Sequence, residues 1–205
     1  MPTDVAQFKQ RIGAELAAAL GRTYAHLRSR DELREITGDD RNVIIISTAS
    51  KYSPFVSVAF YFGRNFAKVR DVEKLQKSYK MPYHIQQYSY NRRQLKGLDY
   101  VGPDHWEVDI RNPSDRLAEE MTAAIRGMAV PFFDRFATLT AARDAIANDD
   151  PWCFGGSLFW NQLLKLDLAL GDLDHFQEWS SRLKAFDRNQ ADEQVRKWRA
   201  LPCAV

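Results

Sequence analysis

The residues best placed to do chemistry in this 205-residue chain lie in His105-Trp106-Glu107-Val108-Asp109. A histidine and a glutamate two positions apart form the H-x-E half of a zinc deaminase signature, in which the glutamate moves protons beside a metal-bound water. The other half needs two closely spaced cysteines after a proline. Here Pro151-Trp152-Cys153 runs into Phe154-Gly155-Gly156 with no second cysteine, so the signature stops halfway. Alternate residues of a strand share a face, which places His105 and Glu107 together without any metal. With Asp109 they would offer an imidazole and two carboxylates, a set that suits a divalent ion. Same-face neighbours on a strand stand about 7 Å apart, long for three ligands of one ion. His26, His84 and His175 supply no i, i+4 pair. We expect no metal and no cofactor.

Other catalytic patterns fail in the same way. No acidic residue has a lysine two positions on, which removes the metal-dependent nuclease pattern; Asp39-Asp40-Arg41 comes nearest. Gly156-Ser157 lacks the second glycine of an esterase elbow. Gly155-Gly156 before a helix could hold an anion at the helix N-terminus, but no lysine stands beside it. A turn leading into a helix explains it better.

Charge is more informative than any motif. Arg64–Lys96 holds nine basic residues (Arg64, Lys68, Arg70, Lys74, Lys77, Lys80, Arg92, Arg93, Lys96) against Asp71 and Glu73, a net +7. Asp134–His175 holds seven aspartates against Arg135, Arg143 and Lys165, a net −4. The overall charge of +2 hides this asymmetry and drives no binding of the whole molecule to nucleic acid or membrane. Tyr79, Tyr83, Tyr88 and Tyr90 interleave with the basic stretch. Such a surface suits a protein interface, where tyrosine and arginine dominate the binding energy, or nucleic acid through phosphate contact and base stacking. It equally suits a solvated sheet edge protected by lysines. Arg64, Lys68, Arg70, Lys74, Lys77, Lys80, Tyr88, Tyr90, Arg92 and Arg93 are the candidate partner-binding residues.

The elements that must position these residues centre on Asn42–Gly63. Val43–Ile46 is a β-branched run. Phe55–Phe62 puts Val56, Val58, Phe60 and Phe62 on one face and Phe55, Ser57, Ala59 and Tyr61 on the other. The two runs read as a hairpin around a turn at Ser50–Pro54, covered on both faces. Val5, Phe8, Ile12, Leu16 and Leu20 mark a first helix, capped by Asp4 and stopped by Gly21. One or two exterior strands follow in Arg22–Thr37, and Gly38–Arg41 is a turn. A short helix is expected over Asn65–Lys77 and a polar, tyrosine-rich edge strand over Met81–Tyr90. Leu95–Pro103 reads as a loop. His105–Ile110 alternates as a half-buried strand, with Trp106, Val108 and Ile110 inward.

From Asn112-Pro113 the pattern is helical. The first of these helices is expected to end or kink at Pro131. Thr138–Ala147 and Ser157–Leu170 follow, and then a helix capped by Asp172 with the stripe Leu173, Phe176, Trp179, Leu183 and Phe186. A last helix carries Val195 and Trp198. Strands first and helices later argue α+β: an antiparallel sheet of four to six strands covered by the N-terminal helix and a long helix. We expect residues 1–150 to form the α+β domain and 151–205 a helical extension packed on it.

Cys153 and Cys203 make neither a disulfide framework nor a zinc pattern. MPTDVAQFKQ has no charged-then-apolar leader, and no stretch is apolar enough to span a membrane. A cytoplasmic protein with reduced thiols is expected.

Ala129-Val130-Pro131-Phe132-Phe133-Asp134-Arg135-Phe136, behind an N-terminal helix and a small meander, resembles a loose group of uncharacterised bacterial α+β domains over roughly residues 5–147. Some members of such groups sit beside polymorphic toxins and are regarded as immunity proteins. The resemblance implies a non-enzymatic module that binds a toxin and masks it, and it carries over no functional residue. Two alternatives stay open. One is a nucleic-acid-binding accessory using the basic segment. The other is an enzyme whose site is assembled from His84, His105, Glu107 and Asp109.

Overall fold

Val43–Ile46 and Phe55–Phe62 form the two central strands of a six-stranded antiparallel sheet. The computed structural model describes residues 2–21, 23–52, 54–75, 82–154 and 159–200. Helix α1 (Pro2–Leu20) comes first, then β1 (Tyr24–Leu27), β2 (Glu32–Thr37), β3 (Asp40–Tyr52) and β4 (Phe55–Asn65). After α2 (Ala67–Leu75) come β5 (Ile85–Tyr88) and β6 (Trp106–Asp109). The remainder is helical: α3 (Leu117–Ala124), α4 (Val130–Arg135), α5 (Leu139–Ala147), α6 (Trp160–Leu170), α7 (Leu173–Ser180) and α8 (Ala185–Arg199). The α+β class and its order are as expected. No helix among the described residues is long and apolar enough to cross a membrane.

The order is β1-β2-β3-β4, and the far edge of β4 is shared end to end. Its C-terminal half pairs with β5 and its N-terminal half with β6. Ser89 sits between the two short strands. Its hydroxyl accepts the Phe60 N–H at 3.2 Å and donates to the Asp104 carbonyl at 2.6 Å, satisfying a β4 donor that neither strand reaches.

Directly paired residues share a face, so the registers define two surfaces. One carries Leu33, Ile44, Phe62 and their neighbours Ile46, Phe60, Val58 and Trp106, all within one hydrophobic cluster with Phe8, Ile12 and Leu16 of α1. The same cluster takes in Met121, Phe132, Ile146, Leu163 and Phe176 from the later helices. The other surface carries the row Glu32, Ile45, Tyr61, Tyr88 and, nearer the turn, Ala49, Ser57 and Glu107. Val43 and Ala59 on this second surface are buried but stand outside the cluster.

Several expectations need correction. β3 runs on to Tyr52, which pairs with Phe55 beyond a register shift, so the first part of the expected Ser50–Pro54 turn is strand. Asn112-Pro113 does not open a helix. Asp109 Oδ1 accepts the Arg111 N–H and Ser114 O accepts that of Leu117, so the chain turns twice before α3 begins. The helix does not end at Pro131. Ile125–Ala129 widens to a π turn in which the Val130 N–H reaches back to the Ile125 carbonyl, and α4 continues beyond it. A proline lacks the donor and crowds the carbonyl of the preceding turn; the wider turn accommodates it. Phe186 leaves the α7 stripe: α7 stops at Ser180, and Phe186 is 73% exposed at the start of α8. The cap at Asp172 forms as expected, accepting the His175 N–H; Thr138 caps α5 by accepting the Ala141 N–H, and Gly171 takes the left-handed φ of 74° that ends α6.

Candidate functional site: the tyrosine face of the sheet

Three arginines of the basic stretch nominated by charge, Arg64, Arg70 and Arg92, are drawn into the fold. Arg64 is only 7% exposed. Its Nη1 donates to Asn42 Oδ1 at 3.1 Å, its Nη2 lies 3.8 Å from Asp40, and its guanidinium sits over the Phe66 ring at 5.8 Å. Charge counting missed this because Asp40 and Asn42 lie on the neighbouring strand. Arg70 donates to the Asn65 and Asp39 backbone carbonyls. Arg92 donates to the Gly102 carbonyl and pins the following loop. Lys74 pairs with Asp71 at 2.7 Å on the surface of α2. Lys68 and Arg93 are exposed. Lys77, Lys80, Tyr79, Cys203 and the Gly155-Gly156-Ser157 segment lie outside the described residues.

The nominated tyrosines, Tyr88 and Tyr90, belong to an aromatic row. The register puts Tyr61 opposite Tyr88, and their rings stack at 4.1 Å and 8°. Tyr88 meets Tyr90 edge to face at 4.9 Å, and Tyr90 meets His105 at 4.7 Å. The four rings form a continuous chain across the sheet surface that faces away from the hydrophobic cluster. Each is fixed at its polar end or by its neighbours. The Tyr90 hydroxyl and Ser57 Oγ lie 2.6 Å apart, and His105 Nδ1 lies 2.7 Å from Asp104 Oδ1. Burial pushes the Tyr88 hydroxyl pKa up, against a hydrogen bond with Ser47. Tyr90 is 38% exposed and Phe55, at the turn end of the same surface, 49%. β5 is an edge strand as expected, but Ile85, Gln86 and Gln87 are buried, so only Tyr88 of its side chains reaches outward. Phe154 donates its N–H to the Gln86 carbonyl and covers that edge.

The residues considered for catalysis fall in different surroundings. His105 and Glu107 are exposed on the tyrosine surface, and Asp109 is held by Arg111 at 3.2 Å, which keeps its carboxyl below the usual range. His84 is 2% exposed and belongs elsewhere. Its Nδ1 accepts the Phe66 N–H at 2.9 Å, so its proton sits on Nε2, 3.5 Å from Glu73 Oε2. Burial foremost lowers its pKa. Among the described residues no group of three His, Cys, Asp or Glu side chains could hold a metal ion. Cys153 is buried. A cleft of about 370 Å³ lies between α1 and the β6–α3 loop. Its arginines, Arg11 and Arg111, are matched there by Glu15 and Asp115, so it offers no net charge.

A second polar cluster escaped the sequence reading. Asp167, with no exposed side chain, receives His175 Nδ1 at 2.9 and 3.0 Å from its two oxygens, with Arg143 3.9 Å away. Burial pushes its carboxyl up to about 6. The signal lay in Gly171-Asp172. A helix stop followed at once by a helix cap folds α7 back on α6, so positions four before and four after the glycine meet.

No protein-family model, no curated protein and no solved structure matches this chain.

Proposed function

We propose that this chain is a non-enzymatic binding protein that masks a protein partner, in the manner of the toxin-neutralising immunity proteins it resembles. Its contact surface is the tyrosine face rather than the basic segment. One observation carries the reading: Tyr61, Tyr88, Tyr90 and His105 form a chain of touching rings on a rigid sheet, partly exposed and already ordered. Rings held in place lose little freedom on binding, and tyrosine offers apolar area with a polar end, the combination that dominates protein interfaces. The nucleic-acid alternative needs free cations along a phosphate track. Arg64, Arg70 and Arg92, three of the arginines it relied on, are engaged inside the chain.

The test is a tagged pull-down from extract of the producing organism, with and without nuclease, using the wild type and Tyr90→Ala side by side. We expect one protein in stoichiometric amount from both wild-type samples and its loss from the variant. Recovery only without nuclease would transfer the function to nucleic acid. A partner retained equally by Tyr90→Ala would remove the tyrosine face from the account.

A further inference from the structure

The helices α5, α6 and α7 meet around a charge imbalance. Arg143 Nη1 lies 2.9 Å from Asp172 and 3.9 Å from Asp167, and its Nε lies 2.9 Å from Asp144. Three carboxylates therefore share one permanent cation. Asp172 also accepts the His175 N–H as the cap of α7, and Asp144 is half exposed to water. Asp167 has neither outlet: it is fully buried, and its nearest donor is His175 Nδ1. The charged groups that reach it are Arg143 of α5, Asp172 of the turn and His175 of α7; α2, which also packs on α6, spends Glu73 on Lys165. Of these, Asp167 is the carboxyl with no exposed side chain, and a proton on it removes one of the three negative charges around Arg143.

We propose that Arg143, Asp167, Asp172 and His175 form a proton-operated latch that ties α7 to α6 more firmly as the pH falls from about 7 to about 5. Ionised, Asp167 is a buried carboxylate left undercompensated beside two others. One proton added to its carboxyl removes that deficit. The raised carboxyl of Asp167 points the same way. A group that holds its proton more tightly folded than unfolded stabilises the fold as pH drops through its folded value. The latch acts on a short helix with few other ties. α7 inserts Phe176 and Trp179, and Trp179 Nε1 donates to the Ala147 carbonyl at 2.9 Å. Its opening frees the C-terminal pair α7 and α8 from the rest.

The experiment is amide hydrogen exchange of Leu173–Ser180, corrected for intrinsic rates, between about pH 7 and about pH 5. It is run on the full chain, on Asp167→Asn, which keeps a hydrogen-bonding partner for His175 without the titration of the carboxyl, and on His175→Asn, which leaves that carboxyl in place. In the wild type, protection of α7 is expected to rise at least about threefold on acidification while that of β4 does not rise. Asp167→Asn should be flat and His175→Asn should keep the rise. A wild type with no rise, a rise retained in Asp167→Asn, or a flat His175→Asn overturns the latch. The tyrosine face plays no part in either result.

Discussion

Lys165 on α6 holds its ammonium 2.8 Å from Glu73 Oε1 on α2, and the carboxylate it meets is 1% exposed. This contact joins the helical C-terminal region to the helix that follows the central strands. Burial pushes the Glu73 carboxyl up, but His84 and Lys165 outweigh it and hold it below the ordinary range.

Lys165→Met should therefore be far more damaging than its partial exposure suggests. Removing one partner of a buried pair strands the other charge and costs about 3 kcal/mol or more. Adding Glu73→Gln in the same chain should recover most of the loss. Urea unfolding of the single and double variants measures both. Equal stability of Lys165→Met and wild type would mean the carboxylate has another sufficient partner.

His84 should make the fold sensitive to mild acid. Its pKa is lowered, chiefly by burial, so the unfolded chain takes up a proton that the folded one refuses. Its contribution is present above the ordinary imidazole value of about 6.5 and is lost as pH falls below it. His84→Asn keeps an acceptor for the Phe66 N–H and should flatten this part of the stability curve. Thermal melts of the two proteins across that range provide the comparison. Asp167 works in the opposite direction over an overlapping range, so the melts should be repeated in Asp167→Asn.

On the tyrosine face, Tyr90→Ala should weaken the partner complex about tenfold or more, or about 1.4 kcal/mol. Tyr90→Phe keeps the ring and loses only the contact with Ser57, costing about 1 kcal/mol of stability with the complex intact. Arg93→Glu, on an exposed side chain, should change neither. Titration calorimetry with the captured partner separates these three outcomes.

Gly63 should tolerate no side chain. A Cβ there would stand 2.5 Å from the Ile85 carbonyl oxygen and 2.7 Å from Tyr83 Cβ, against the backbone of the pairing strand. Gly63→Ala must push β5 away from β4. Overpacking of this kind costs about 1–3 kcal/mol, read as a lower denaturation midpoint. An unchanged midpoint would show that the β4–β5 pair has slack.

The sheet was legible where side-chain period and burial agree. Val56, Val58, Phe60 and Phe62 alternate in sequence and are all buried in the structure, and Trp106 and Val108 do the same on β6. Helix ends were legible where one residue does the capping, as at Asp172. The candidate site was legible only in part. Tyr88 and Tyr90 were named, but Tyr61 was read only as part of the central hairpin and His105 only as a candidate for catalytic chemistry, because their meeting depends on the pairing of β4 with both β5 and β6. Arg64 was misread for the same reason. Its partners are cross-strand neighbours, and a count of charges along the chain does not see across a strand.

That divided edge of β4 also sets an order of assembly. β3 and β4 meet through a tight turn and lose little chain entropy in pairing, whereas Phe55 must wait for Asp109, a closure spanning roughly fifty residues. The hairpin can thus exist while the turn half of β4 still exposes one row of backbone donors and acceptors. During that interval the chain is open to strand exchange with another copy of itself. Arrival of β6, with Ser89 closing the gap beside β5, ends that exposure. The vulnerable species is therefore the growing or partly unfolded chain, and a chain cut short before Trp106 would stay in that state.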